Sequence, residues 1–178
     1  MDLIEKAIMV ASKAHDGQYR KLTKIPYITH PLGVGHILMR INARMELVAA
    51  GILHDTVEDT ELTLEDIRDD FGDEVAELVE GCSEPDKSLS WEARKEHTIS
   101  FLRTASGDIR TVVCADKLHN IRSIIHDYEN QGEEVWRRFS RGKEKQEWYY
   151  RNVVRSLGQG STFPLLEELK KEVEKLFG

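Results

Sequence analysis

Four side chains in this 178-residue chain have types and placements suited to holding a metal ion. His54 and Asp55 are adjacent and directly follow the apolar run from Leu47 to Leu53. Asp116 follows a second apolar run, Thr111-Val112-Val113-Cys114-Ala115, and His30 stands just before Pro31. Ionisable groups at the end of a buried helix are costly unless something compensates their desolvation. A divalent cation does so. Two neutral imidazoles and two carboxylates make an octahedral set for manganese or a similar ion, leaving room for water and a substrate oxygen. Taken singly, each residue also reads as a helix cap or a surface group. The joint pattern points to a metal, because polar ligands interrupt the two most apolar helical stretches.

Other groups extend the set. Glu58 and Asp59 follow His54-Asp55 closely. The step from 54 to 58 is i, i+4, so Glu58 shares the side of His54 if the helix continues. These acids could orient the attacking water and handle the proton of a leaving group, or form a solvated acidic turn. Arg20-Lys21 lies in a basic loop before His30. A guanidinium can stack on a base and an ammonium can neutralise phosphate. Asn120 is four residues beyond Asp116 and could read a base or ribose, His119 could support Asp116, and Arg94 and Lys95 are further phosphate contacts.

The elements that must position these groups read as helices almost throughout. Leu3, Ala7, Val10, Ala11 and Ala14 form an amphipathic stripe. His15 to Thr29 is a polar loop with a short hairpin. Pro31 suits the first turn of a helix to about Arg40. Met45 to Leu53 is a helix with almost no polar face, hence central. Thr63 and Asp66 fit a capping box for a helix ending near Gly72. Further helices are predicted from Asp73, over Trp91 to Thr104, and over Ile109 to Ile125. Ser83 to Ser90, with Pro85, is a loop. One or two helices carry Trp136, Tyr149, Val153 and Leu157, an aromatic-basic stretch expected to pack on the core. Gly158 to Ser161 is a linker before a last helix to Phe177. No alternating strand pattern has useful length. The fold class is all-α, a compact bundle of about eight to ten helices.

Composition narrows the function classes. Lys plus Arg is 25 and Asp plus Glu is 32, giving a net charge of −7. That argues against DNA or RNA as a partner, since sequence-independent binding needs a basic face. The two cysteines, Cys82 and Cys114, are too few for a disulfide scaffold or a cysteine zinc site. No run approaches the ~20 apolar residues of a membrane span. The charged start, Met1-Asp2-Leu3-Ile4-Glu5-Lys6, is no signal peptide. A soluble, cytoplasmic protein is expected, with aromatic residues of the C-terminal third exposed enough to permit a homodimer as well as a monomer.

The motifs around these residues are more specific than the residues themselves. Arg20-Lys21, Pro26-Tyr27-Ile28-Thr29-His30-Pro31, Leu53-His54-Asp55-Thr56-Val57-Glu58-Asp59-Thr60, Phe71-Gly72 and Ala115-Asp116-Lys117-Leu118-His119-Asn120 occur in this order. The set resembles the H…HD…D signature of HD-domain metal-dependent phosphohydrolases. It is similar in particular to the alarmone hydrolase domain of RelA/SpoT-type proteins and to stand-alone small alarmone hydrolases, including the metazoan SpoT homologue. The resemblance covers about residues 1 to 155. It implies a hydrolase domain over 1–157, with 158–178 as a linker and a C-terminal helix packed on it. It implies one Mn2+ on His30, His54, Asp55 and Asp116. Glu58 and Asp59 would handle the attacking water, and Arg20, Lys21 and Asn120 would hold the nucleotide; Lys95 stays a candidate phosphate contact read from its residue type alone. The reaction would release pyrophosphate from the 3′ position of ppGpp or pppGpp, giving GDP or GTP.

Leu22 follows Arg20-Lys21 where members of that family often carry a small polar residue and a glycine, a departure that bears on base recognition. The chain is too short to contain the synthetase and regulatory domains of the long enzymes. Competing functions are an HD phosphohydrolase acting on another nucleotide, such as pApp, NADPH or a nucleoside phosphate, and a helical module that senses the nucleotide without cutting it.

Overall fold

The computed structural model describes residues 1–84, 86–160 and 162–178. Pro85 and Ser161, which the sequence places in a loop and a linker, lie outside the described residues. Among those described there are ten α-helices, one 3-10 helix and no strand beyond a single antiparallel bridge between Tyr19 and Pro26. The all-α expectation is met, and none of the helices is long and apolar enough to cross a membrane.

The residues form two compact units, Met1–Ser83 with Gly107–Asp116, and Glu84–Ser106 with Lys117–Gly178. In the first unit, α1 (Leu3–Ala14) starts on a capping box in which Asp2 and Glu5 satisfy each other's backbone N–H groups. The hairpin follows, with Leu22 at its tip in a left-handed conformation (φ +58°) and exposed. Helix α2 (Thr29–Arg40) begins two residues earlier than Pro31, which sits in its first turn, where a missing N–H costs nothing. Helix α3 (Met45–Leu53) buries every residue from Leu47 to Leu53 and packs on α1, α2 and α6 (Asp73–Cys82). Its all-round apolarity is thus explained by its central place. A one-turn helix, α4 (Thr56–Asp59), comes next, then α5 (Leu64–Phe71), with the expected Thr63–Asp66 capping box.

The approach of α2 to α3 rests on a missing side chain. A Cβ built on Gly51 would stand 2.4 Å from Leu38 Cδ1 and 3.2 Å from Val34 Cγ1. Leu38 and Val34 are fully buried, so neither has room to give way. Glycine costs the helix about 1 kcal/mol in propensity, and the close approach of the two helices compensates. Helix α8 (Gly107–Gln131) is longer at both ends than the predicted 109–125, and its first ten residues belong to this unit. Its first turn is tied to α3 and α6 by Arg44, which pairs with Asp108 at 2.6 Å and with Glu74.

The second unit contains α7 (Trp91–Leu102), the rest of α8, a 3-10 helix over Gly132–Arg138, α9 (Gly142–Leu157) and α10 (Pro164–Phe177). Helix α9 carries its apolar face against α7 and α10. The aromatic-basic stretch packs inward, as expected for it, rather than lying exposed. Trp136, Tyr149 and Tyr150 are buried, and Trp136 and Tyr150 both meet the Phe177 ring, at 5.8 and 6.2 Å. Their large apolar area is consumed inside the unit.

Gly51→Ala forces its methyl into Leu38 and is expected to destabilise the protein by about 1–3 kcal/mol, the usual cost of overpacking a close-packed core. That corresponds to a thermal midpoint lower by roughly 3–10 °C. An unchanged or raised midpoint in calorimetry would show that α2 and α3 separate without cost.

Candidate metal centre

Three chain segments bring the ligand candidates together in the first unit. His30 is the second residue of α2, where its N–H bonds to the Tyr27 carbonyl at 2.9 Å. His54 and Asp55 form the break between α3 and α4. Asp116 follows the buried stretch Val112–Ala115 of α8. His30, His54 and Asp116 are buried, and one ligand atom from each lies within 4.8 Å of the others.

The spacing is that of ligands around a point. His30 Nε2 and His54 Nε2 are 3.3 Å apart. Asp116 Oδ1 stands 3.2 Å from the first and 3.7 Å from the second. Asp55 Oδ2 stands 3.1 Å from His54 Nε2 and 3.5 Å from His30 Nε2. Bonds of ~2.1 Å to one ion put neighbouring ligand atoms ~3.0–3.4 Å apart in octahedral or tetrahedral geometry. The donor types suit a borderline divalent ion.

The local fold also aims the imidazoles. His54 donates from Nδ1 to the Gly51 carbonyl at 2.8 Å, so Nε2 is the nitrogen presented to the cluster. Burial works against charge on His54. Asp55, by its charge and hydrogen bond, outweighs it and raises the ring to about 9. Burial keeps His30 below its ordinary value despite Asp116. Burial alone would raise the Asp55 carboxyl, but the charge and hydrogen bond of His54 hold it well below the usual carboxylate range. A proton on His54 thus offsets one of the two carboxylate charges, and a divalent cation held by the same nitrogens would displace that proton and offset both.

Tyr27 completes the cluster and was not among the predicted site residues. Its hydroxyl donates to Asp55 Oδ2 at 2.5 Å. Burial, and then the Asp55 charge, push its phenol far above the ordinary value, so it remains a donor. The available signal was its place in the turn just before His30, but nothing in the sequence says that the ring folds back onto a residue 28 positions away.

The other predicted residues are distributed as follows. Arg20 carries its guanidinium over the Tyr27 ring at 5.9 Å, next to the ligands, and Lys21 is exposed on the same hairpin. Glu58 is half-buried and Asp59 exposed. The helix does not continue from His54 to Glu58: α3 ends at Leu53 and α4 starts at Thr56. The i, i+4 alignment of the two therefore does not hold. At that break the Thr56 hydroxyl donates to the Leu53 carbonyl at 2.7 Å and His54 Nδ1 donates to the Gly51 carbonyl. Lys95 and Asn120 fall in the second unit. Asn120 is half-buried on α8, and Lys95 is paired with Glu84, which also receives Arg94 at 2.6 Å.

Comparison with known proteins agrees with this geometry. The family profile of the HD domain matches residues 7–144. The chain is 47% identical over 124 residues to a GTP pyrophosphokinase of Streptomyces coelicolor, covering 68% of this chain and 14% of that one. It is 40% identical over 122 residues to a guanosine-3′,5′-bis(diphosphate) 3′-pyrophosphohydrolase of Haemophilus influenzae, covering 65% and 18%. The chain thus spans less than a fifth of the length of these curated relatives. A solved structure of a metazoan ortholog of SpoT, which hydrolyses ppGpp and plays a role in starvation responses, superposes with a TM-score of 0.83 at 26% identity, covering 99% of this chain and 97% of that one.

Tyr27→Phe removes the hydrogen bond to Asp55 while keeping the ring. Loss of such an outer partner is expected to weaken divalent-ion binding by roughly 10–100-fold, read by calorimetric titration. Affinity equal to that of the unmodified protein would show that Asp55 needs no support from the phenol.

Proposed function

The chain belongs to the HD-domain family, and on that premise we propose that it hydrolyses the 3′-pyrophosphate of ppGpp or pppGpp, releasing pyrophosphate and GDP or GTP. One observation carries the reading: the buried His30, His54 and Asp116, joined by the half-buried Asp55, are followed within one turn of chain by the half-buried Glu58 and the exposed Asp59. The hydrolase name among the relatives supports it. The pyrophosphokinase name belongs to a protein of which this chain spans 14%, and a hydrolytic centre is what the donor set fits.

His30, His54, Asp55 and Asp116 hold one Mn2+ in this reading. The ion supplies Lewis-acid polarisation of a phosphoryl oxygen and acidifies the attacking water. The chain supplies the rest. Glu58 accepts the proton of the attacking water, and Asp59 orients that water. Water oxygen bonds to the phosphorus attached to the ribose, the bond from that phosphorus to the 3′ oxygen breaks, and the 3′ oxygen takes up a proton. Arg20 and Lys21, on the hairpin beside Tyr27, neutralise phosphate and stack on the base. Tyr27 keeps Asp55 turned toward the ligand cluster.

Purified protein with Mn2+ is expected to convert ppGpp to GDP and pyrophosphate, with products resolved by anion exchange. Orthophosphate instead, or turnover only of pApp, NADPH or a nucleoside phosphate, would move the assignment to another phosphohydrolase. Binding without turnover would make the protein a sensor. Asp55→Asn is expected to abolish Mn2+ binding and activity with unchanged helicity by circular dichroism. Glu58→Ala is expected to keep Mn2+ and lose roughly 100-fold or more in kcat, the scale of a lost general base. Loss of the ion in that variant would make Glu58 a ligand.

A further inference from the structure

A chain of hydrogen bonds leads from the acidic turn back to the end of α1. Gln18 donates from Nε2 to the backbone carbonyl of Asp59 at 3.0 Å. A carbonyl only accepts, which fixes the amide orientation. Gln18 Oε1 therefore faces His15 and accepts from its Nδ1 at 2.8 Å. The other nitrogen of the His15 ring is Nε2. That atom is buried and has no hydrogen-bond partner among the described residues. A buried ring nitrogen left unmet is a poor choice for packing alone, since an apolar ring would fill the space without that desolvation cost. The Nδ1 bond to Gln18 is what an imidazole offers there and an apolar ring does not. The ring also packs on Tyr27, with centroids 4.9 Å apart.

The turn at the other end of this chain needs outside support. Helix α4 has four residues, and its own backbone bonds are Asp59 N–H to Asp55 C=O at 2.9 Å and Thr60 N–H to Thr56 C=O at 3.0 Å. One isolated helical turn fixes more dihedrals than its bonds repay. The Asp59 carbonyl is held by a side chain 41 residues away.

We infer that Gln18, oriented by His15, is a positioning residue that pins the Thr56–Asp59 turn and so sets Glu58 and Asp59 against the metal ligands. The inference rests on the proposed hydrolase reading for its effect on turnover, and on geometry alone for its effect on the turn.

Four variants test it, with amide hydrogen exchange and steady-state kinetics on ppGpp with Mn2+. Gln18→Ala removes both bonds. Gln18→Glu keeps the acceptor for His15 but sets a carboxylate against the Asp59 carbonyl. His15→Phe keeps a ring on Tyr27 and loses the donor. His15→Asn puts an amide N–H where Nδ1 was. The first three are expected to exchange the Asp59 and Thr60 amides roughly 10-fold faster or more. They should also lose roughly 10–100-fold in kcat, the scale of a lost outer-shell contact. KM should stay within about threefold, because positioning acts on the chemical step. Mn2+ affinity should not change, and His15→Phe should not melt earlier than the unmodified protein. His15→Asn, which restores the donor to Gln18 without the ring on Tyr27, should recover most of the exchange protection and kcat that His15→Phe loses. Unchanged exchange in both Gln18 variants, or a His15→Asn variant as impaired as His15→Phe, overturns the inference. If the unmodified protein does not turn over ppGpp, the functional reading fails, and the exchange measurements still decide whether Gln18 holds the turn.

Discussion

Two buried imidazole nitrogens stand 3.3 Å apart with a carboxylate on either flank, and the rest of the first unit is arranged around that balance of charge. Such a group of ionisable side chains is expensive to remove from water. It persists when one positive charge sits among the ligands, as a proton on His54 or as a cation.

The surrounding helices meet that electrostatic demand by packing. The apolar body of α3 buries all seven residues before His54, and Gly51 lets α2 approach closely enough for His30 to meet His54. The Arg44 clamp ties the first turn of α8 to the same helix, and two turns later Asp116 enters the cluster. None of these contacts touches a ligand atom. They set the distance over which three separate pieces of chain must converge, and the short polar links, Tyr27 to Asp55 and Gln18 to Asp59, refine the aim.

The ligand candidates were legible in the sequence because their cost is legible: His54-Asp55 and Asp116 interrupt the most apolar stretches, and His30 lies in a recognisable motif. Helices α1, α2, α3 and α5 were also readable, from stripes, a proline and a capping box. What escaped depends on contacts between distant residues or on a competition among local bonds. At the break after Leu53, the His54 ring and the Thr56 hydroxyl take backbone carbonyls of α3, bonds that residue spacing does not reveal. The tie from Tyr27 to Asp55 and the pairing of Lys95 with Glu84 join residues whose proximity only the fold creates.

The His54 ring also serves the backbone. Its Nδ1 takes the Gly51 carbonyl, one of the acceptors that the end of a helix leaves without an intrahelical donor. The same ring is therefore a stopper for α3 and a claw for the ion, and each duty enforces the other. Fraying of the last turn would free the ring to flip and present the wrong nitrogen. Aspartate or cysteine could still grip a cation here but would leave the helix end open. A substitution at this position would thus cost twice, once in the ligand set and once in the helix that delivers it.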